Sequence, residues 1–312
     1  MLTEQRVFDI TSANDALMRD FDAQIKKTDD AYLAQLTAIV KDIIAHRKEK
    51  PIILLSGPSG SGKTTTAYLI EQLLEERGFV THTLSMDNYF LPLTEAEHEL
   101  VAQGKIDLES PNRLNRELLN RQLSDMVACK PVPLPRYDFV HGLSVGSGIT
   151  LTRKPDELVI LEGIHALNPD VITIPDENTA KIYISVRSRV KCGDLILHPS
   201  KVRLLRRMIR DEIYRSRPFE KTIKFYHSVE LGEERYIMPY KYRSTYDIET
   251  FIDYELNVLK AVLPKDISFS FEAREVISDL LYVLAHTDAA DPSLIPESSL
   301  IREFIGGSKF SY

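Results

Sequence analysis

Cysteine is scarce in this chain: Cys129 and Cys192 stand alone, 63 positions apart, with no C-x-x-C pair. Isolated cysteines read as reduced thiols, which argues against a disulfide-built secreted fold. No apolar run approaches the roughly 18–20 residues needed to span a bilayer. The opening stretch MLTEQRVFDITSANDALMRDFD mixes acids with apolar residues and lacks the basic-then-apolar order of a signal peptide. A cytoplasmic protein with no membrane partner is therefore expected. A basic excess is missing as well, since 39 Lys plus Arg face 46 Asp plus Glu for a net charge of −7. Coating nucleic acid needs a basic surface, so no nucleic-acid partner is expected either.

What is present describes an ordinary globular chain. The 312 residues, 43% hydrophobic and 27% charged, suffice for one large domain or two small ones. Leu33, Leu36, Ile39, Val40, Ile43 and Ile44 recur at three- and four-residue steps, so residues 1–50 read as helical. The runs Ile52–Leu55, Leu158–Leu161 and Ile182–Val186 are continuously apolar, the mark of strands buried on both faces of a parallel sheet. A fourth run, Phe79–Leu84, alternates more and fits a central or an edge strand. Prolines and glycines between 129 and 150 predict a loop or hairpin excursion. Helical stretches between the strands give repeated βα units, and hence an α/β open parallel sheet flanked by helices. Beyond residue 247, Phe251, Tyr254, Val258, Leu259 and Val262 predict a further amphipathic helix, and Pro296–Ser299 the start of a short final one.

The stretch Gly57-Pro58-Ser59-Gly60-Ser61-Gly62-Lys63-Thr64-Thr65 fits G-x-x-x-x-G-K-[ST] between a buried strand and a helix. Glycines let consecutive N–H groups turn inward around phosphate oxygens, and the following helix aims its positive end at them. Lys63 is placed for the β- and γ-phosphates, and the Thr64 hydroxyl for Mg²⁺. This is a P-loop, and ATP with Mg²⁺ is the expected cofactor pair. The absence of Asn-Lys-x-Asp counts against a guanine-specific GTPase, and that of Leu-Ser-Gly-Gly against a transporter ATPase.

Two acids follow strands. Asp87, after the run ending at Leu84, should face the phosphates, where it can take a proton from an attacking hydroxyl and contact the metal through water. Glu162 ends a buried strand and reads as the carboxylate on the Mg²⁺ side. Arg203, Arg206, Arg207 and Arg210 fall at offsets that share one helical face. Segment 201–217 carries seven bases against Asp211 and Glu212, and is expected to be a lid over the transferring phosphoryl group.

In GPSGSGKTT (57–65), SMDNYF (85–90), PRYDFV (135–140), LEGIHAL (161–167) and RLLRRMIRD (203–211) the sequence resembles the phosphoribulokinase/uridine kinase family over about residues 50–247. The resemblance implies a P-loop kinase that moves the γ-phosphoryl of ATP to a hydroxyl, typically the 5′-hydroxyl of a pyrimidine nucleoside. It implies Asp87 as base and Glu162 as metal-side acid. Tyr89 and Phe90 become a substrate-side aromatic pair, and Tyr137 and Phe139 the aromatics that hold the base. Two departures fall in the acceptor pocket. Glu109-Ser110-Pro111 stands where uridine kinases show Asp-His-Pro, which makes Glu109 the carboxylate for the ribose hydroxyls. His141 follows Phe139 by two positions where the family's histidine follows by three. Residues 187–200 read as an insertion.

The expected organisation is an N-terminal helical extension (1–50), a P-loop kinase domain (51–247) and a C-terminal helical extension (248–312) packed on the core. A homo-oligomer interface is the alternative use of the extensions' apolar stripes. Sugars, sugar phosphates and pantothenate-like molecules remain alternative acceptors. Arg113 and Arg116, expected at the surface, are the positions that would mark a phosphorylated one. A non-catalytic nucleotide sensor is the remaining alternative.

Overall fold

A computed structural model describes residues 6–103, 107, 109–138 and 141–311. Its centre is a five-stranded, wholly parallel sheet of β2 (Ile52–Ser56), β3 (Thr81–Ser85), β6 (Leu158–Glu162), β7 (Thr179–Ser185) and β10 (Tyr246–Glu249) in the order β10-β7-β2-β6-β3. The three continuous apolar runs are the three inner strands, and every residue of each strand is buried. The more alternating run is the edge strand β3, only partly buried beyond its first residue.

Because side chains alternate across a sheet, each inner strand feeds two cores. Ile53, Leu55, Ile160 and Ile182 face α1 (Ile10–His46), α2 (Lys63–Glu75), α5 (Pro199–Arg215) and the C-terminal helices. Ile52, Leu54, Val159, Leu161 and Tyr183 face α4 (Arg116–Val127) and the antiparallel hairpin β4 (Pro131–Asp138) and β5 (Leu143–Thr152). The hairpin is the excursion that the prolines and glycines of 129–150 predicted. A helix α3 (Glu95–Gln103) precedes α4.

The N-terminal segment differs from the helical expectation. Val7–Asp9 form a strand, β1, before α1 begins. β1 pairs in parallel with β8 (Arg189–Cys192), which turns back antiparallel into β9 (Leu195–Leu197). Residues 187–200 thus form a small sheet that needs the N-terminal strand to complete it, an association across about 180 residues that periodicity cannot reveal. α1 bends at Asp20 (φ −163°, ψ 88°), whose carboxylate caps the following turn by accepting from the Ala23 N–H at 3.0 Å. Of the expected stripe, Leu36, Val40 and Ile43 are buried while Leu33 is exposed.

After α5 come α6 (Phe219–Lys224), α7 (Tyr226–Tyr236), α8 (Glu255–Val262), α9 (Phe271–Val276), α10 (Ser278–Ala285) and α11 (Arg302–Ile305). Two helix starts shift from expectation. Phe251 and Tyr254 are buried but precede α8, and 296–301 run as turns, so the last helix begins at Arg302. Phe21, Leu36, Ile70, Leu259 and Phe304 share one core, so both extensions pack around the P-loop helix. Among the described residues, no helix is long and apolar enough to cross a membrane.

Candidate active site

The cleft forms where strands β2, β3 and β6 end. Leaving β2, the chain turns at Gly57, where a Cβ would lie 2.2 Å from the Ile184 carbonyl oxygen. Only glycine permits that approach. Gly60 (φ +78°) and Gly62 (φ +88°) take left-handed conformations, and Gly62 caps α2. These turns wrap the loop around the N-terminus of α2, where the dipole is positive, with the Ser61 N–H donating to the Pro58 carbonyl at 3.2 Å. Lys63 donates from Nζ to the Pro58 carbonyl at 3.2 Å and forms no salt bridge among the described residues. Burial lowers its pKa, opposed by the charges of Glu162 and Asp87. The Ser61 hydroxyl is buried with no hydrogen-bond partner. Buried polar atoms without partners are uncommon, and one inside a glycine cradle suits a phosphate oxygen. The loop thus fits a triphosphate.

β3 and β6 are in register with Ser85 opposite Glu162, so both acids emerge at one end of the sheet. Asp87, in the one-turn helix Met86–Tyr89, and Glu162 line the same cleft as Lys63 and Thr64. Burial and the neighbouring Asp87 charge push Glu162 up to about 7, against the pull of Lys63. Gly163 lets this corner close, since a Cβ there would meet Met86 at 2.6 Å. Among the described residues, no three His, Cys, Asp or Glu side chains converge on one metal position. Glu162, Asp87 and the Thr64 hydroxyl, which line one cleft, are oxygen donors of the kind Mg²⁺ takes beside substrate phosphates.

Beyond Asp87 the cleft is walled by Phe90, Tyr137, Glu109, Asp107 and Arg113, and its volume is about 360 Å³. The Phe90 and Tyr137 rings meet edge to face with centroids 5.6 Å apart. Glu109 is held from two sides. Its carbonyl lies 2.8 Å from Nε2 of His165, and α7 approaches so closely that a Cβ on Gly232 would sit 2.5 Å from the Glu109 Cβ. Burial raises the Glu109 pKa, and the Arg207 charge opposes it. Tyr236 donates from its hydroxyl to Asp107 at 2.9 Å.

Four expected site residues are placed elsewhere, Arg203 of α5 among them. Tyr89 points into the core, 2% exposed, with its hydroxyl donating to Gln122 Oε1 at 2.7 Å. It anchors the turn that presents Asp87 and does not line the cleft. His141 is exposed and pairs with Asp138 at 2.7 Å, outside the cleft lining. Arg206 is fully buried. Its Nε donates to Glu255 at 2.6 Å, and its Nη2 to Glu255 at 3.0 Å and to the Thr250 carbonyl at 2.6 Å. Its Nη1 donates to the Gly60 carbonyl at 3.2 Å, so with every guanidinium nitrogen committed Arg206 clamps α5 to α8 and to the backbone of the P-loop. Phe139 lies outside the described residues.

α5 divides its arginines. Arg203 donates to Glu233 at 2.6 Å and to the Ser59 carbonyl at 3.3 Å, bracing the P-loop from behind. Arg207 and Arg210 line the cleft, joined by Arg215, Arg217 and Lys221. Arg207 is 6% exposed, its Nε is buried without a partner, and no salt bridge to it occurs among the described residues. Burial draws its pKa down to about 10, so it stays cationic at neutral pH. Asp211 orients the others, lying 2.8 Å from Arg210, 3.6 Å from Arg215 and 3.5 Å from Arg217. α5 itself is a packed helix with eleven buried residues, not a detached flap.

Of two further site residues, the sequence pattern singles out Arg113 only as a surface position and does not single out Glu303. Arg113, expected at the surface, is buried in the cleft wall, bonded to Glu97 at 3.0 Å and to the Leu91 carbonyl at 2.7 Å. Arg116 is exposed, as expected. Glu303, over 200 positions downstream, lines the phosphate end. No spacing rule connects either Arg113 or Glu303 to the P-loop.

A P-loop opening into two strand-end carboxylates, under a helix that lends its arginines, defines the class of P-loop kinases. The chain belongs to the phosphoribulokinase/uridine kinase family, whose model matches residues 52–253. A uridine kinase of Lactobacillus helveticus is 32% identical over 180 residues, 57% of this chain and 76% of that protein. One from Staphylococcus epidermidis is 31% identical over 191 residues, 61% and 83% of the two chains. Among solved structures, a Silicibacter chain described provisionally as a fructose transport system kinase superposes with a TM-score of 0.51 at 16% identity. It covers 68% of this chain and 98% of its own, and speaks for the fold alone.

Proposed function

We propose that this chain is an ATP- and Mg²⁺-dependent kinase that phosphorylates the 5′-hydroxyl of a pyrimidine nucleoside, uridine or cytidine, giving the monophosphate. The observation that carries the reading is the continuity of one cleft. Lys63, Thr64, Asp87, Glu162, Phe90, Tyr137 and Glu109 all line it, and Glu109 and Lys63 are near enough to act on each other electrostatically. The names of the curated relatives support the nucleoside.

In this reading Thr64 and Glu162 hold Mg²⁺, with Asp87 close enough to contact it through water. A Mg²⁺ held there would supply positive charge to the transferring phosphoryl group. The loop Gly57 to Thr65 would hold the triphosphate through those backbone N–H groups it leaves free, Pro58 having none and Ser61 donating to the Pro58 carbonyl at 3.2 Å. Lys63, Arg207 and Arg210 face the charge that grows on the phosphoryl oxygens. Asp87 accepts the proton of the attacking hydroxyl at its carboxylate. Phe90 and Tyr137 exclude water and stack the base, and Glu109 accepts from the ribose hydroxyls.

A screen of nucleosides, sugars and sugar phosphates with ATP, following ADP release, tests the acceptor. Uridine and cytidine should give the highest kcat/KM, and a clear preference for another acceptor overturns the nucleoside. Asp87→Asn should keep ATP binding while lowering kcat by a factor on the order of 10²–10⁴. Full retained turnover would remove Asp87 from proton transfer. Arg113 favours a second reading, an acceptor with its own anionic group. Its pairing with Glu97 already neutralises that charge, which leaves the nucleoside ahead.

A further inference from the structure

At the phosphate end of the cleft, the first turn of α2 is not bare. The Thr65 N–H donates to Oε2 of Glu303 at 3.2 Å, and the Thr65 hydroxyl donates to the same oxygen at 2.7 Å. An N–H in the first helical turn has no partner within the helix and is one of the groups a P-loop offers to phosphate. Glu303 comes from the C-terminal segment, beyond the residues 52–253 that match the family.

The carboxylate is 6% exposed, and among the described residues no Lys or Arg forms a salt bridge with it. A buried carboxylate is costly, and here its compensation is Thr65, the positive end of α2 and the nearby Lys63 charge, on which it acts without a direct salt bridge. It therefore sits on groups built to hold an anion. The segment carrying it is firmly seated on either side. Leu300 packs so tightly on the P-loop that a Cβ on Gly62 would lie 2.9 Å from its Cδ1. Phe304 is fully buried, with the Arg206 guanidinium 5.0 Å above its ring. Between these anchors, the Glu303 side chain reaches the same cleft as Lys63.

Lys63 serves the β- and γ-phosphates, while the loop's N–H groups cradle the α- and β-phosphates. Thr65 lies two residues beyond Lys63, and its first-turn N–H belongs with the groups that cradle the α- and β-phosphates. We propose that Glu303 is a built-in competitor for the α-phosphate of the donor nucleotide, and that ATP binds fully only when this carboxylate leaves Thr65. The C-terminal extension thereby sets donor affinity, and any partner or modification that shifts residues 300–306 would change it. This rests on reading the cleft as an ATP site, but not on the identity of the acceptor.

Calorimetric titration of MgATP into the full chain without acceptor tests it. Glu303→Gln keeps the shape and removes the charge, and Glu303→Ala removes the contact. Each should lower the ATP Kd about tenfold relative to the parent chain, the size of effect expected from removing a charged hydrogen-bond competitor. An unchanged or weaker affinity in both variants overturns the proposal. A second measurement needs no variant: MgATP should raise amide hydrogen exchange over residues 300–306 of the parent chain. Unchanged or slower exchange there also overturns it. Because no acceptor is present, failure of the nucleoside assignment leaves these results untouched. A chain that bound no MgATP in any form would overturn the donor reading and this proposal together.

Discussion

Arg206 and Arg207 are neighbours in sequence and opposite in use. Arg206 turns inward, where Glu255 and the Thr250 carbonyl take its donors and Phe304 covers its face. Arg207 turns into the cleft with its Nε unpartnered. Both are buried, so exposure does not separate them. What separates them is the supply of carboxylates and carbonyls within reach. The cation that the fold neutralises holds α5 to α8, and the other lines the cleft with no salt bridge among the described residues, Glu109 and Asp211 acting on it only at a distance.

The largest effect that tests this contrast is on stability. Arg206→Ala leaves the Glu255 carboxylate buried and unpaired, and should cost about 3–5 kcal/mol in urea unfolding. A loss well under that with collapsed catalysis would reverse the two roles. Arg207→Ala should instead lower kcat/KM by about 10²–10³, the scale for removing one donor to transition-state charge, with the unfolding midpoint near that of the parent. An unchanged kcat/KM would remove Arg207 from the site. Arg203 stands between them: it pairs with Glu233 and touches the P-loop backbone, as Arg206 does at Gly60, but keeps a buried Nε without a partner, as Arg207 does. Arg203→Ala should cost about 1–3 kcal/mol of stability, with a rise in KM for ATP larger than the fall in kcat.

The smallest effect concerns Asp211, which orients the cleft arginines. Burial raises its pKa, but the charges of Arg210 and Arg215 outweigh it and hold the carboxyl below its ordinary value of 3.8. The native chain then binds this proton less tightly than the unfolded chain. The stability Asp211 contributes is present above pH 3.8 and is lost as pH falls through its lower native value. Asp211→Asn should flatten that acid limb in denaturation curves taken from pH 6 downward. An identical slope in both proteins would show that Asp211 does not anchor the arginines electrostatically.

Much of the sheet was legible because fully buried strands carry no alternation, and β2, β6 and β7 are continuous apolar runs. The P-loop was legible because its spacing, glycines and flanking elements are all local. The acceptor end was less so. Tyr89 and Phe90 are adjacent, and only the neighbouring Gln122 and Tyr137 decide that one anchors the core and the other faces the cleft. Arg113 looked like a surface residue because nothing nearby in sequence announces Glu97 as its partner. β1 was read as helix because a three-residue strand has no period, and its partner Val190 lies far along the chain.

The sequence by itself therefore determined the parallel α/β sheet, the phosphate-binding loop and the strand-end acids Asp87 and Glu162. Each depends on short-range periodicity or on spacing within a few residues. Tertiary structure alone decided which arginines of α5 are spent on the fold and which face the cleft. It also brought Glu303 onto Thr65 from 238 residues away. The reason is that a cation or a carboxylate has no fixed role until its partners are placed. Those partners come from whichever distant segments the folded core brings within about 3 Å, the reach of a hydrogen bond.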